Sequence, residues 1–262
     1  MAIDARDVAG FYASPLGRKV AARLGAALSG LWPQAKGLDL LGLGFTGPYL
    51  PLWAGGARRV IAFSPAAMGP APWPAGRPGL ACTGDEDSLP FPDLSFDRIL
   101  IVHGLEHADS ARRYLREAWR LLRDDGRLIV VTPSRRGLWA YAERTPFGHG
   151  EPYSERQIAR LLTSAFFQVE AQRAALYAPP VSWPPVLSLF GATESLGARL
   201  APHFAGITIA EASKAMHGLI PAGARRAGRR VFADLTGSLH RQTRERLHHL
   251  PPPPKPDHVT LV

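Results

Sequence analysis

The chain has 262 residues, 46% of them hydrophobic, a formal net charge of +9 and one cysteine. That length and apolar content allow a full core and exclude a chain disordered throughout. The lone Cys82 excludes an intramolecular disulfide and a cysteine-based zinc cluster; together with an acid-bearing start and no long uncharged apolar run, it predicts a cytoplasmic protein with no membrane span.

Ser14-Pro15 reads as an N-cap followed by proline in the first turn, and Val20, Leu24, Leu28 and Leu31 then recur at near-helical spacing. Tyr12, just ahead of this helix, suits either a cover over a ligand or a staple to the core. From Leu38 to Leu50 an apolar run breaks at Gly42, Gly44 and Gly47 before Pro48, which reads as strand, tight turn and helix start. Glycine lets the backbone turn sharply and a ligand come close, and a helix opening there offers free N–H groups. Taken alone, this spacing is a weak signal.

Arg59 to Phe63 fits a second strand, Ser64 to Pro78 a loop rich in proline and glycine, and Leu80 to Thr83 a third strand. Arg98 to Val102 is a fourth, with the continuous apolar character of a strand buried on both faces. Asp109 or Ser110 caps a helix with Ala111, Leu115, Ala118 and Leu122 on one face, ended by Asp124-Asp125-Gly126. Arg127 to Pro133 is the fifth strand. Ser154 and Gln157 have capping-box spacing and open a helix containing Ile158, Leu161, Leu162 and Ala165. Phe167 to Ala171 and Gly206 to Glu211 are strands six and seven, and the proline-rich stretch from Ala174 to Pro202 between them is partly helical. Strands separated by helix-length segments predict an α/β architecture, a mostly parallel sheet covered on both faces, with ligands at the carboxyl ends of the strands.

Much of the positive charge lies late in the chain. From Lys214 to His249 there are eight lysines and arginines against two acids, which suits a solvated basic face or a polyanion site. Pro251 to Pro254 begins an extended tail. The expected organisation is an N-terminal helical cap over 1–36, a principal domain over 37–213, a basic extension over 214–249 and a proline-rich, disordered tail over 250–262.

Gly84-Asp85, Leu89-Pro90-Phe91-Pro92-Asp93 and Ser95-Phe96-Asp97 lead on to His103-Gly104-Leu105-Glu106-His107. Arg116-Glu117, Arg120-Leu121-Leu122, Gly126-Arg127-Leu128, Gly148-His149 and Tyr153-Ser154 follow. In this order and spacing, from about Gly37 to Glu211, the chain resembles the class I S-adenosylmethionine-dependent methyltransferases of the type 11 group. The resemblance implies a Rossmann-like sheet of seven mostly parallel strands and S-adenosylmethionine as cofactor. It also implies that Gly42 and Gly44 lie under the methionine and ribose of the donor. Asp85 and Glu86 would border the adenine, His103 would line the floor, and Phe63 and Ser64 would close the end of strand two. In-line methyl transfer needs alignment more than an acid or base, so the lack of an obvious triad is no objection. Two positions depart from the family pattern: the third glycine falls one residue late, and Ala62-Phe63-Ser64 stands where an acid accepts from the ribose hydroxyls.

On the acceptor side, Tyr12, Arg135, Arg136, Trp139, His149 and Tyr153 are the candidates, with the Tyr177 to Trp183 loop as a lid. The acceptor itself is unidentified, a nucleic-acid partner is not favoured, and no metal is expected. Three other readings compete. A nicotinamide-dependent dehydrogenase would suit Gly42-x-Gly44-x-x-Gly47, but Ala62 sits where its ribose acid belongs. His103-x-x-Glu106-His107 matches an inverzincin pattern, yet it falls in a loop rather than on one helix face. The third is a methyltransferase-fold module that no longer methylates and docks RNA or protein.

Overall fold

The computed structural model describes residues 3–74 and 79–215. The basic extension and the tail therefore lie outside the described residues, apart from Lys214 and Ala215. Strands β1 (Asp39–Gly44), β2 (Arg59–Pro65), β3 (Ala81–Gly84), β4 (Phe96–Val102), β5 (Leu122–Pro133), β6 (Phe167–Ala175) and β7 (Ile207–Lys214) form one sheet in the order β3-β2-β1-β4-β5-β7-β6. β1 to β5 are parallel, and β7 runs antiparallel to both β5 and β6. The seven strands and the mostly parallel sheet expected from the sequence are present.

Every residue of β1 is buried, as a central parallel strand with both faces covered requires. Its side chains alternate between two cores. Leu40, with Leu100 and Ile129, joins Val20, Leu24 and Leu28 of helix α2 (Pro15–Leu31). Leu41 and Leu43, with Ile99 and Ile101, meet Leu115 and Ala118 of α4 (Ala111–Leu121) and Ile158 and Leu162 of α5 (Glu155–Ser164). A short α3 (Pro51–Ala54) follows the glycine turn, and α6 (Pro184–Ser188) and α7 (Phe190–Leu200) fill the proline-rich segment.

The local signals act as expected at three helix starts. Ser14 accepts from the N–H of Gly17 at 3.0 Å with Pro15 in the first turn, Ser110 caps α4, and Ser154 with Gln157 completes a capping box on α5. Two features differ. A helix α1 (Ala5–Ala13), capped by Asp4, precedes α2 and carries Tyr12. Helix α4 stops at Leu121, because Leu122 adopts an extended backbone and pairs with Phe96, so Asp124-Asp125-Gly126 belongs to β5 and does not end the helix.

At the amino edge of the sheet, charge replaces hydrophobic packing. The buried Asp39 carboxylate accepts from Arg58 and, at 3.2 Å, from Arg123, while its backbone N–H donates to Asp97 at 2.7 Å. Hydrogen bonding from Arg58 outweighs the effect of burial, and with the charges of Arg59 and Arg123 it holds the Asp39 carboxyl below the usual carboxylate range. A depressed folded-state pKa stabilises the protein above the unfolded value of about 3.9, and that stability is lost as pH falls through the lower folded value. Since the arginine partners are partly exposed, Asp39→Asn should lose about 1–2 kcal/mol at neutral pH, measured by urea unfolding. Its stability should also fall less steeply than wild type below about pH 4.

Candidate active site

The carboxyl ends of β1 and β4 meet at the glycine turn. Gly44 has φ +85°, and a Cβ there would land on the carbonyl oxygen of Val102 and lie 2.9 Å from the N–H nitrogen of Gly104. The next residue, Phe45, donates its N–H to that same Val102 carbonyl at 2.8 Å. Only glycine fits both the conformation and the space. Gly42 differs. The space a Cβ would take is held by the side chain of Thr46, whose buried hydroxyl has no hydrogen-bond partner among the described residues.

His103 follows β4 with φ 51°, an uncommon conformation for a side-chain-bearing residue, and is fully buried. The hydroxyl of Tyr49 donates to that of Tyr12 at 2.8 Å, and Tyr12 in turn lies 2.9 Å from Nε2 of His103. On the other side of the ring, Nδ1 stands 3.4 Å from the buried carboxylate of Glu106, whose two oxygens have no hydrogen bond among the described residues. Phe45 stacks on Tyr12, and the ring of Phe147 sits 4.6 Å from that of His103. Desolvation pushes the Tyr12 and Tyr49 hydroxyls well above the ordinary tyrosine value, so both stay protonated at neutral pH. Burial also lowers His107 and favours its neutral form. Tyr12 anchors α1 to the core and lies beside the glycine turn.

The residues that the resemblance assigns to the adenine side lie on β2, β3 and the loop after them. Ser64 is buried and shares a hydrogen bond of 3.1 Å with Thr83, and Phe63 turns its ring to the opposite face, against Phe91. Ala62 belongs to an apolar cluster with Met68 and Trp73, and Trp73 lies 3.7 Å from where a Cβ on Gly47 would be. Asp85 accepts from the N–H of Asp87 at 2.9 Å, an Asx turn. Glu86 accepts from the N–H of Asp109 at 2.8 Å and so ties this loop to the start of α4; desolvation raises its pKa. The Leu89 to Asp93 segment is held by Arg120, which donates to the carbonyls of Leu89 and Phe91 and to Asp93 and Glu117.

The acceptor-side candidates separate. Trp139 is buried and donates from Nε1 to the carbonyl of Ala178 at 2.8 Å, which makes it a core residue. Glu194 of α7 accepts from the N–H groups of Leu176, Tyr177 and Ala178 and pins the beginning of the expected lid loop. His149 bonds the carbonyl of Glu143 at 2.7 Å and, with Asp4, Asp7 and Phe11, lines a cleft of about 260 Å³. Arg135 donates to the carbonyl of Pro152; Tyr153 is buried beside it, its hydroxyl pushed up to about 12. Arg136 lines a second cleft. Phe11, Phe45, Tyr49 and Phe147 are not marked by the sequence as site residues, and Glu106 enters there only within the His103-x-x-Glu106-His107 pattern. Among the described residues, no group of three or more His, Cys, Asp or Glu is placed to hold a metal ion, and no helix is long and apolar enough to cross a membrane.

This sheet order with a glycine turn at the end of β1 defines the class I methyltransferase fold. Residues 41–130, about a third of the chain, match a family model described as a methyltransferase domain. Over 48 residues the chain is 44% identical to the demethylmenaquinone methyltransferase of Thermotoga maritima, a match that covers 18% of this chain and 21% of the relative. The crystal structure of a SAM-dependent methyltransferase from Thermotoga maritima is similar in fold, with TM-score 0.53 and 20% identity over 76% of this chain and 91% of that one. The [4+2]-cyclase SpnF is also similar, with TM-score 0.50 and 17% identity over 73% of this chain and 79% of that one.

The hydroxyl network yields a stability prediction. Tyr12→Phe removes the group between Tyr49 and His103, leaving both without their partner in the core. It should lower the unfolding free energy by about 1–3 kcal/mol. Urea denaturation followed by tryptophan fluorescence reads this directly, and an unchanged midpoint would mean that the hydroxyls do not engage.

Proposed function

We propose that the chain is an S-adenosylmethionine-dependent methyltransferase whose donor lies across the carboxyl ends of β1 and β4. The observation that carries this reading is the Gly44 turn, where a positive φ and the close approach of Val102 leave bare backbone at the switch point of the sheet. The unpartnered Thr46 hydroxyl beside it offers a hydrogen-bonding group to a polar ligand. Backbone from Gly42 to Gly44 would hold the methionine and ribose portion, and Asp85 the adenine edge. Once bound, the donor supplies an electrophilic methyl group on a sulfonium. Tyr12, Phe45 and Phe147 would exclude water, and the cleft lined by Phe11 and His149 would admit the acceptor. His103, with Nε2 taken by the Tyr12 hydroxyl and Nδ1 turned toward Glu106, would form the floor beneath the donor. Alignment of the acceptor is what these walls contribute.

A second reading rests on Ala62 and Thr46. With no acid at the end of β2 and a side chain over Gly42, the domain could keep the fold while serving as a binding module. Loss of one charged hydrogen-bond partner costs roughly 1.5–3 kcal/mol, which lowers affinity by about one to two powers of ten without excluding binding.

Calorimetric titration separates the two. S-adenosylmethionine and S-adenosylhomocysteine should bind with micromolar dissociation constants, a nicotinamide dinucleotide should not, and Asp85→Ala should weaken binding about tenfold or more. Gly44→Val should abolish it, with circular dichroism to show that the fold persists. No heat at millimolar ligand with folded wild-type protein would sink the enzymatic reading in favour of the module.

A further inference from the structure

We propose that a second cleft, at the carboxyl end of β5, binds the phosphate group of a small phosphate monoester. The cleft measures about 330 Å³ and is lined by Ser134, Arg136, Ser154, Glu155, Arg156 and His203. Three elements converge to form it. Ser134 directly follows β5, donates its N–H to the carbonyl of Gly206 at 2.8 Å and forms a parallel bridge with Tyr153. That bridge brings the start of α5 alongside the end of β5, and the turn after α7 contributes His203.

The chemistry of the lining favours a compact dianion. The lining carries two guanidiniums, an imidazole and two hydroxyls against a single carboxylate. Many arginines of this chain are already committed: Arg120 to Glu117 and Asp93, Arg123 to Asp97 and Asp39, and Arg23 to Glu194. Among the described residues, neither Arg136 nor Arg156 forms an ion pair, so their planar donor forks remain available to the cleft. The start of α5 adds to this. Its capping box satisfies the Ser154 and Gln157 N–H groups, whereas those of Glu155 and Arg156 have no partner among the described residues. Unpaired N–H groups at the positive end of a ten-residue helix complement phosphate oxygens. A phosphate presents three such oxygens and close to two negative charges, enough to engage both arginines and the helix start at once, whereas a carboxylate presents two oxygens and one charge. The cleft volume leaves room for part of the organic group the phosphate carries.

None of its lining residues belongs to the Gly42–Asp85–His103 crevice, so phosphate binding is tested apart from donor binding. The probe is phenyl phosphate, titrated calorimetrically into the full-length protein in low-salt buffer, with phenol, benzoate and inorganic phosphate as controls. Saturable binding of phenyl phosphate is expected, tighter than benzoate, and none of phenol. Arg136→Ala and Arg156→Ala should each weaken it about tenfold or more, because each removes a charged hydrogen-bond donor. Arg135→Ala, whose side chain donates to Pro152 and does not line the cleft, should leave it unchanged. Both cleft arginines are exposed, so their variants should fold, and an unaltered thermal melt checks this. The proposal is overturned by the absence of saturable binding, by equal losses in the Arg135 and cleft variants, by benzoate binding as tightly, or by inorganic phosphate binding where the monoester does not. Donor titration of the same variants should match wild type, so failure here leaves the methyltransferase reading intact, and the converse holds.

Discussion

The contact between Gly44 and the end of β4 is the constraint on which the rest of the site depends. Two adjacent parallel strands must end close together, and the Val102 carbonyl must remain reachable by the N–H of Phe45. A side chain at Gly44 would push the strands apart and remove that bond. Because the turn closes without a side chain, α3 begins only a few residues later and Tyr49 descends into the core, where it meets Tyr12. The position of α1 follows from this: Tyr12 reaches His103 only if the glycine turn places Phe45 and Tyr49 on either side of it.

The two edges of the sheet solve the problem of ending strands differently. At the amino edge, Asp97 and the buried Asp39 gather Arg58, Arg59 and Arg123, whose guanidiniums keep one side in solvent. At the carboxyl edge, aromatic rings close over polar groups, and the desolvation is severe. Glu106 lies buried, and among the described residues neither of its oxygens has a hydrogen bond, each lack representing about 1–3 kcal/mol relative to a satisfied acceptor. Such an arrangement persists only when the surrounding packing over-determines it, and it concentrates where a ligand or a proton is handled.

The fold was legible because its signals are local. Ile99 to Val102 announces a doubly buried strand by composition alone, and Ser14-Pro15 and Ser154 with Gln157 announce helix starts by chemistry that acts within one turn. The end of α4 was misread because Asp-Asp-Gly is a good stop signal in isolation, while pairing of Leu122 with Phe96 extracts the chain earlier. Helix α1 was missed because it is only nine residues long and draws its stability from Val8 and Tyr12 packing on the core, a tertiary effect. The site was less legible than the fold for the same reason. Gly44 could be picked out by residue type and Glu106 lies three residues on from His103, but Tyr12 and Tyr49 converge on His103 from separate segments, and no spacing encodes that. Trp139 shows the converse error: an aromatic residue in a promising loop proved to be spent on the carbonyl of Ala178.

Fold and chemistry separate at Ala62 and Thr46. Neither residue disturbs the sheet: Ala62 packs with Met68 and Trp73, and Thr46 fits against Gly42 without strain on β1. The backbone that defines the domain is therefore indifferent to whether the ribose end holds an acid, and the similar fold of a [4+2]-cyclase shows that this architecture hosts more than one chemistry. The backbone geometry at Gly44 is one that a side-chain substitution elsewhere cannot erase. A donor held mainly by main-chain groups and by Asp85 would lose affinity for want of the acid yet keep its alignment, and alignment is the quantity on which in-line transfer depends.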